Sequence, residues 1–463
     1  MNSSQINLDT ISAISTPPGS GAIAIVRISG PEAFTIAEKI FSSSQDALLP
    51  VNLKGNSHKA MHGFILQPRT QICVDDVVLI PYREPASYTG ENLVEINCHG
   101  SPVIAREILE LILSLGARLA RPGEFTQRAY LSGKMDLTQA EAVMDLIQAK
   151  TKSQSRQAQA ALSGQIGSKI SGVRSELVEL LTRITAGIDF PEEVGEVPLD
   201  DLERIVVDSK ARLTSLAQTM RAGRFLREGL RVSIVGQPNV GKSSLLNQFL
   251  KFERAIVTEI PGTTRDSIEE LVELAGIPVL LVDTAGIRNT EDRVEQIGID
   301  RTVTAIEQAD LVLFMIDGSK ELDQTDRKIE QMISEHAQKP FIMVKNKIDL
   351  GEFKNQKPED AMDQIAISAK SGQGMDALGD CLSRFVFSGS KDKGASVNER
   401  QGELCLKAMQ SLELLERAVS DDLPQDCLAT DLKEAIISLS QACGTEVSEE
   451  VITQVFARFC IGK

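Results

Sequence analysis

The chain of 463 residues has no tryptophan, three tyrosines and only 4% aromatic residues. Proteins that read RNA on an open sheet stack bases on exposed rings, so that class is excluded. There is no C-x-x-C pair. The seven cysteines (Cys73, Cys98, Cys381, Cys405, Cys427, Cys443 and Cys460) are scattered, which excludes a zinc ribbon and fits a reducing compartment. No apolar run reaches the roughly 18 residues that a membrane-spanning helix needs, and no secretory leader is read. The expectation is a cytoplasmic protein with no membrane partner. Positive charge is also short, with 49 Lys and Arg against 65 Asp and Glu, a net −16. A broad nonspecific grip on nucleic acid needs cations set against phosphates, so only a local RNA site remains open.

What is present is an ordinary globular composition, 42% hydrophobic and 25% charged. The length suits two to four domains. Residues 1–130 mix strand-like runs, "GAIAIVRISG" (21–30) and "VDDVVLIPY" (74–82), with the helical "PVIAREILELILSLG" (102–116). This predicts an α+β or α/β domain. Thr138 and Glu141 have the spacing of a capping box, and the chain then turns helical. Ile166, Ile170, Val173, Leu177, Leu180 and Ile184 step by four and three, the apolar face of a long helix. From 231 to 388 strands alternate with helices, the pattern of a doubly wound sheet. "SGSKDKGAS" (388–396) reads as a linker. Leu404, Ala408, Leu412, Leu415 and Val419 then mark another helix, with two more after it. Neither helical stretch, 131–230 or 389–463, can bury its apolar faces alone. The reading is one all-α domain made of both, with the α/β domain inserted between them.

The chemistry is concentrated in the insert. Gly236-x4-Gly241-Lys242-Ser243, between a strand and a helix, is a phosphate loop. Its glycines let main-chain N–H groups face phosphates, Lys242 reaches the β and γ oxygens, and Ser243 ligates Mg²⁺. "DTAG" (Asp283, Thr284, Ala285, Gly286) ends a strand and would meet the magnesium's water shell and the γ-phosphate. "NKID" ends another strand. Asp349, with Asn346 and Lys347 before it, accepts from the N1–H and 2-amino group of guanine, which selects GTP over ATP. "SAK" (Ser368, Ala369, Lys370) would close over the base. The switch "TEIPGTTRD" (258–266) supplies Thr264 to Mg²⁺. The GTP-binding set also takes in Asn239, Val240, Gly241 and Ser244 of the loop and Thr258, Glu259, Ile260, Pro261, Gly262 and Thr263 of the switch. Where Ras-like proteins carry a water-orienting glutamine, this chain has Ile287, which cannot hydrogen-bond. Asn239 is left with two readings, a hydrogen bond to the switch or a ligand in an oxygen cage for a monovalent cation.

Across nearly its whole length the chain resembles the MnmE (TrmE) family of tRNA modification GTPases. The resemblance rests on "TPPGSGAIAIVRISG" (16–30), "SYTGENLVEINCHG" (87–100), "RPGEFTQRAYLSGKMDLTQAEAV" (121–143) and the terminal "FCIGK" (459–463). It implies a folate-binding and dimerising N-terminal domain (1–130), a helical domain from two segments (131–230 and 389–463), and an inserted Ras-like GTPase domain (231–388). It further implies an FAD-dependent flavoprotein partner (MnmG type) in a heterotetramer. Together the two would add a carboxymethylaminomethyl group to C5 of the wobble uridine, position 34, of certain tRNAs. A tetrahydrofolate such as 5-formyltetrahydrofolate would supply the one-carbon unit, held by Arg27, Glu95, Lys134 and Lys463. A carboxylate such as Glu95 can pair with a pterin edge, and cations attract the glutamate tail. The resemblance also implies that K⁺ sits in a cage of Asn239, Thr258, Ile260 and Thr263. Glu295 would orient the water when two GTPase domains meet. His99 is read as structural, and Cys460 either as an inert thiol or as a participant in the modification. The competing reading is a GTPase switch for ribosome or cofactor assembly, which has no reason to carry "VRISG" and "FCIGK".

Overall fold

The computed structural model describes residues 9–251, 270–282, 303–337, 339–351, 355–388, 395–421 and 423–463. The chain forms two compact units, one of residues 1–144 with 439–463 and one of residues 145–438.

The first unit is built on a seven-stranded sheet of β1 (Ile11–Ile14), β2 (Ile23–Ser29), β3 (Phe41–Ser42), β4 (Met61–Leu66), β5 (Cys73–Tyr82), β6 (Leu93–His99) and β7 (Arg118–Leu119). The order is β3-β4-β5-β6-β2-β1-β7, antiparallel except for the short β1–β7 pair. This is the α+β arrangement. Side chains alternate between faces along a strand. Val26, Ile28, Val94 and Ile96 therefore enter one core with Ile108 and Ile112 of helix Pro102–Ser114. The intervening Arg27 and Glu95, directly paired in register, share the other face. A second cluster joins the two ends of the unit. Leu137 and Ala140 of helix Leu137–Gln148 pack on Ile452 and Phe456 of helix Glu449–Ala457.

The capping box of that first helix lies two residues earlier than the spacing of Thr138 and Glu141 suggests. Asp136 Oδ1 accepts from Gln139 N at 2.8 Å, and Gln139 Oε1 accepts from Asp136 N at 3.0 Å. The Thr138 hydroxyl donates to the same Asp136 oxygen at 2.6 Å. An ionised carboxylate is the stronger acceptor, so it takes the cap and leaves the hydroxyl to support it.

In the second unit helix Gln165–Asp189 buries Ile166, Ile170, Val173, Leu177, Leu180 and Ile184, the face that the spacing predicts. Helix Glu399–Ser420 buries Ala408, Leu412, Leu415 and Val419 and lies along helix Leu199–Glu228, where Lys210 pairs with Glu416 at 2.5 Å. Helix Gln425–Cys443 follows. The sheet comprises β8 (Leu230–Val235), β9 (Glu270–Leu274), β10 (Ile277–Val282), β11 (Leu311–Asp317), β12 (Phe341–Asn346) and β13 (Asp363–Ala366). Its order is β13-β12-β11-β8-β10-β9, parallel except for β9. Helices Lys242–Lys251 and Met375–Val386 cover one face, and helix Gln324–Ala337 the other. Coverage of both faces explains why β11 and β12 are almost continuously apolar. It also makes the sheet doubly wound, with loops free to build a site at the carboxyl ends of its strands.

Candidate functional site

The phosphate loop leaves β8 at Val235 and enters the helix at Lys242. Gly241 has φ +107°, and a Cβ there would run into the side-chain amide of Asn346. That close approach is used. Asn346, only 3% exposed, donates from Nδ2 to Val240 O at 2.7 Å and accepts from Ala369 N at its Oδ1 at 2.8 Å. One amide thus ties the phosphate loop to the "SAK" turn. The sequence assigns Asn346 to the nucleotide; the structure shows that it also holds two walls of the cradle together.

Lys242 Nζ donates to the carbonyls of Gly236 and Gln237, at 2.7 and 2.8 Å, and burial lowers its pKa. The ammonium is therefore held at the loop itself, where phosphate oxygens would compete for it. The Gln237 side chain in turn donates to Asp323 Oδ1 at 2.6 Å, the same oxygen that accepts from the N–H groups of Thr325 and Asp326 at the start of helix Gln324–Ala337. No local pattern signals this tether, whose partners are 86 positions apart. Asn239 is exposed at the loop's crest with φ +61°. Asparagine tolerates the left-handed region better than most residues, so the backbone alone gives one reason for it there. Ser243 and Ser244 open the helix beside Lys242.

On the base side, Ser368 Oγ donates to Asp349 Oδ1 at 2.7 Å and fixes the carboxylate that would read guanine. Lys347 takes a left-handed conformation, φ +68°, and its ammonium bonds Asp317 Oδ2 at 2.8 Å. Burial would raise the Asp317 pKa, but the bonds from Lys347 and Ser319 outweigh it and hold the carboxyl below its usual range. The Lys370 carbonyl accepts from Gln248 at 3.4 Å. Thr258, Glu259, Ile260, Pro261, Gly262, Thr263 and Thr264 of the switch lie outside the described residues, as do Asp283, Thr284, Ala285, Gly286, Ile287 and Glu295.

The other candidate site is in the first unit. Arg27 donates to Glu95 Oε1 from Nε at 3.0 Å and from Nη2 at 2.6 Å, and Tyr82 donates to Glu95 Oε2 at 3.2 Å. The guanidinium lies over the rings of Tyr88 and Phe125, 5.5 and 5.6 Å from their centroids. Lys463 joins them. Burial first, and then Arg27, pulls its pKa below that of free lysine, against the opposing pull of Glu95 and Cys460. The tail that carries it is pinned, since Phe125 N donates to Lys463 O at 3.2 Å and Gly123 N to Cys460 O at 3.4 Å. Gly462 has φ +95°, and any Cβ there would strike the Ile14 carbonyl. Three of the four residues expected to hold a folate therefore converge. The fourth, Lys134, stands exposed in the turn after helix Glu124–Leu131, with its stem beside Gly90. Two cations, one carboxylate and two aromatic rings suit a ligand with a flat hydrogen-bonding edge and an anionic tail. The residues present thus fit a folate. Cys460 is exposed, and His99 is tied to Asp75 through Nδ1 at 2.7 Å.

Behind this cleft is a charge network that sequence reasoning missed. Arg118 contacts Asp9 and Glu124, both at 2.7 Å. Arg128 contacts Asp9 at 2.7 Å, Glu91 at 3.1 Å and Glu124 at 3.2 Å. Burial is the largest single influence on Glu124 and opposes its ionisation, yet the bonds from Arg118 and the Arg121 N–H, with the charges of Arg118 and Arg128, together outweigh it and lower the pKa to about 2. Tyr88 and Thr126 share a hydrogen bond of 2.9 Å, so the loop and the helix that bring rings to Arg27 are locked to each other. Only the repeated charges of "RPGEFTQR" signalled any of this.

Residues 10–134 match the model of the N-terminus of the GTP-binding protein TrmE, and residues 137–460 that of the MnmE helical domain. A tRNA modification GTPase MnmE from Lactobacillus gasseri is 41% identical over 462 residues, covering 98% of each chain. Its namesake from Natranaerobius thermophilus is 42% identical over 463 residues, 98% of this chain and 99% of that one. Among solved structures, Aquifex aeolicus Era bound to GDP and aluminium fluoride aligns with 40% of this chain and 67% of its own, at 26% identity and a TM-score of 0.27.

Proposed function

The chain belongs to the MnmE family of tRNA modification GTPases, and from that premise we propose how its two sites divide the work. It is a GTP hydrolase of tRNA modification. The second unit binds and hydrolyses GTP with Mg²⁺ held by Ser243 and Thr264. The first unit holds a tetrahydrofolate between Arg27, Glu95 and Lys463, with Lys134 at the rim. When bound, the folate supplies a one-carbon unit; the chain's own residues orient it and keep its charged tail paired. With an FAD-dependent flavoprotein the protein adds a carboxymethylaminomethyl group to C5 of the wobble uridine. It works as a homodimer through residues 1–130, in the cytoplasm, and the two GTPase domains (231–388) meet during the cycle. K⁺ in the cage of Asn239, Thr258, Ile260 and Thr263 takes the place of an arginine finger, and Glu295 orients the water.

The observation that carries this reading is the convergence of Arg27, Glu95 and Lys463 in a chain that also keeps its GTP cradle. A switch for ribosome or cofactor assembly gives that cleft no role. The test is mass spectrometry of tRNA nucleosides from a strain lacking the gene, complemented with the full chain or with a chain cut before Cys460. The deletion and the truncation should both lack the wobble-uridine group while the truncated protein still binds GTP. Full modification in the deletion strain overturns the reading.

A further inference from the structure

In the second unit, residues 189–199 ("DFPEEVGEVPL") fold back over the end of helix Gln165–Asp189. The turn is held firmly. Glu193 N and Val194 N donate to Phe190 O at 3.2 and 3.0 Å. Gly187 and the Gly195 carbonyl approach so closely that a Cβ on Gly187 would collide. Val197 is buried, and its N–H and carbonyl are both bonded by the Gln425 amide at 3.4 and 3.1 Å. Upon this fixed base Phe190 is 57% exposed and Val194 55% exposed, with Ile188, Leu199 and Leu423 also exposed. Among the described residues no other phenylalanine is exposed. Asp189, Glu192, Glu193, Glu196, Asp200 and Asp421 stand next to these apolar residues along the chain, all exposed. Arg183 and Arg204 are nearby, and both are turned to Asp201, at 3.1 and 3.2 Å.

Large apolar side chains exposed close together among polar ones mark an interaction surface, and a rigid one spends little entropy on binding. The charge of the polar neighbours selects the occupant. RNA would set phosphates against carboxylates. A second copy, meeting patch to patch about a two-fold axis, would set acid on acid. We propose that this platform docks a protein partner through an apolar pocket rimmed by Lys and Arg, with Phe190 as the anchor. The partner used to test it is the flavoprotein, so the proposal rests on the two-protein reading above.

The experiment titrates the full-length chain with the FAD-dependent flavoprotein of the same organism, by calorimetry at low and at high salt. Phe190→Ser with Val194→Ser should weaken binding by about tenfold or more. Glu192→Lys with Glu193→Lys should weaken it mainly at low salt and flatten the salt dependence. Thermal melting and GTP affinity should not change in either variant. If the wild type binds and both variants bind equally well, the platform is wrong and the two-protein reading stands. If the wild type itself does not bind the flavoprotein, that reading falls and this proposal with it. Loss of tRNA binding or of self-association, with flavoprotein affinity intact, also overturns it.

Discussion

Around Gly241 the cradle is assembled from loops at successive strand ends, and its working parts are main-chain groups, glycines and one amide, Asn346. The cleft around Arg27 is assembled from side chains of opposite charge and from rings, and its first pair, Arg27 and Glu95, is 68 positions apart. The cradle keeps its shape through backbone conformation. The cleft keeps its shape through ion pairs centred on the buried Glu124 and Arg128. Damage to each should therefore take a different form, a loss of ligand affinity in the first and a pH-dependent loss of stability in the second.

The largest effect should come from Asn346→Ala. It leaves Val240 O and Ala369 N without their partner in a buried place, at about 1–3 kcal/mol for each group. GTP affinity measured by calorimetry should fall on the order of a hundredfold or more, while the first unit melts as before. A mild loss would mean that the two loops hold their positions without the amide.

Glu124→Gln should do the reverse. The carboxyl ionises at about 2 in the folded protein against 4.5 ordinarily. Its contribution is therefore complete above pH 4.5 and is lost as the pH falls from there toward 2, about 3 kcal/mol in all. Denaturant unfolding of the wild type should weaken across that window, and the variant should start weaker at neutral pH and show a flatter profile. GTP affinity should stay unchanged. An unaltered profile would show that the charges behind the cleft are not what holds it.

Asp349→Asn should cost about 2 kcal/mol of GTP affinity, the worth of a charge-assisted hydrogen bond. It should also shift preference toward xanthosine nucleotides, as competition binding can show. The smallest effect is expected from Gln237→Ala, which cuts the tether to Asp323 and should lower GTP affinity several-fold, about 1 kcal/mol. No change would leave the tether without influence on Lys242.

The same contrast decides what could be read in advance. The phosphate loop and "NKID" were legible because their chemistry is local, a few residues between a strand and a helix. The apolar faces of the long helices were legible from their period. Asp136 was missed as a cap because Asp136 with Gln139 and Thr138 with Glu141 fit the same spacing, and only acceptor strength separates them. Strand β9 carries two glutamates in five residues and pairs at the sheet's edge, so it lacks the apolar signature of its neighbours. The Arg128–Asp9 contact spans 119 positions, and no local pattern encodes such a pair. Without a family resemblance, Arg27 in a strand and Lys134 in a turn read as ordinary surface cations.

The first unit takes residues from both flanks of the second, and this has a consequence during synthesis. Leu137 and Ala140 leave the ribosome long before Ile452 and Phe456, on which they pack. Roughly 300 residues of the second unit intervene, about 15–60 s at typical elongation rates of about 5–20 residues per second. For that interval the nascent N-terminal part carries an apolar helix face with no mate, and its cleft lacks Lys463. The cleft is therefore completed only after the second unit has been made, and a ribosome that stalls within the second unit releases a product whose cleft was never finished.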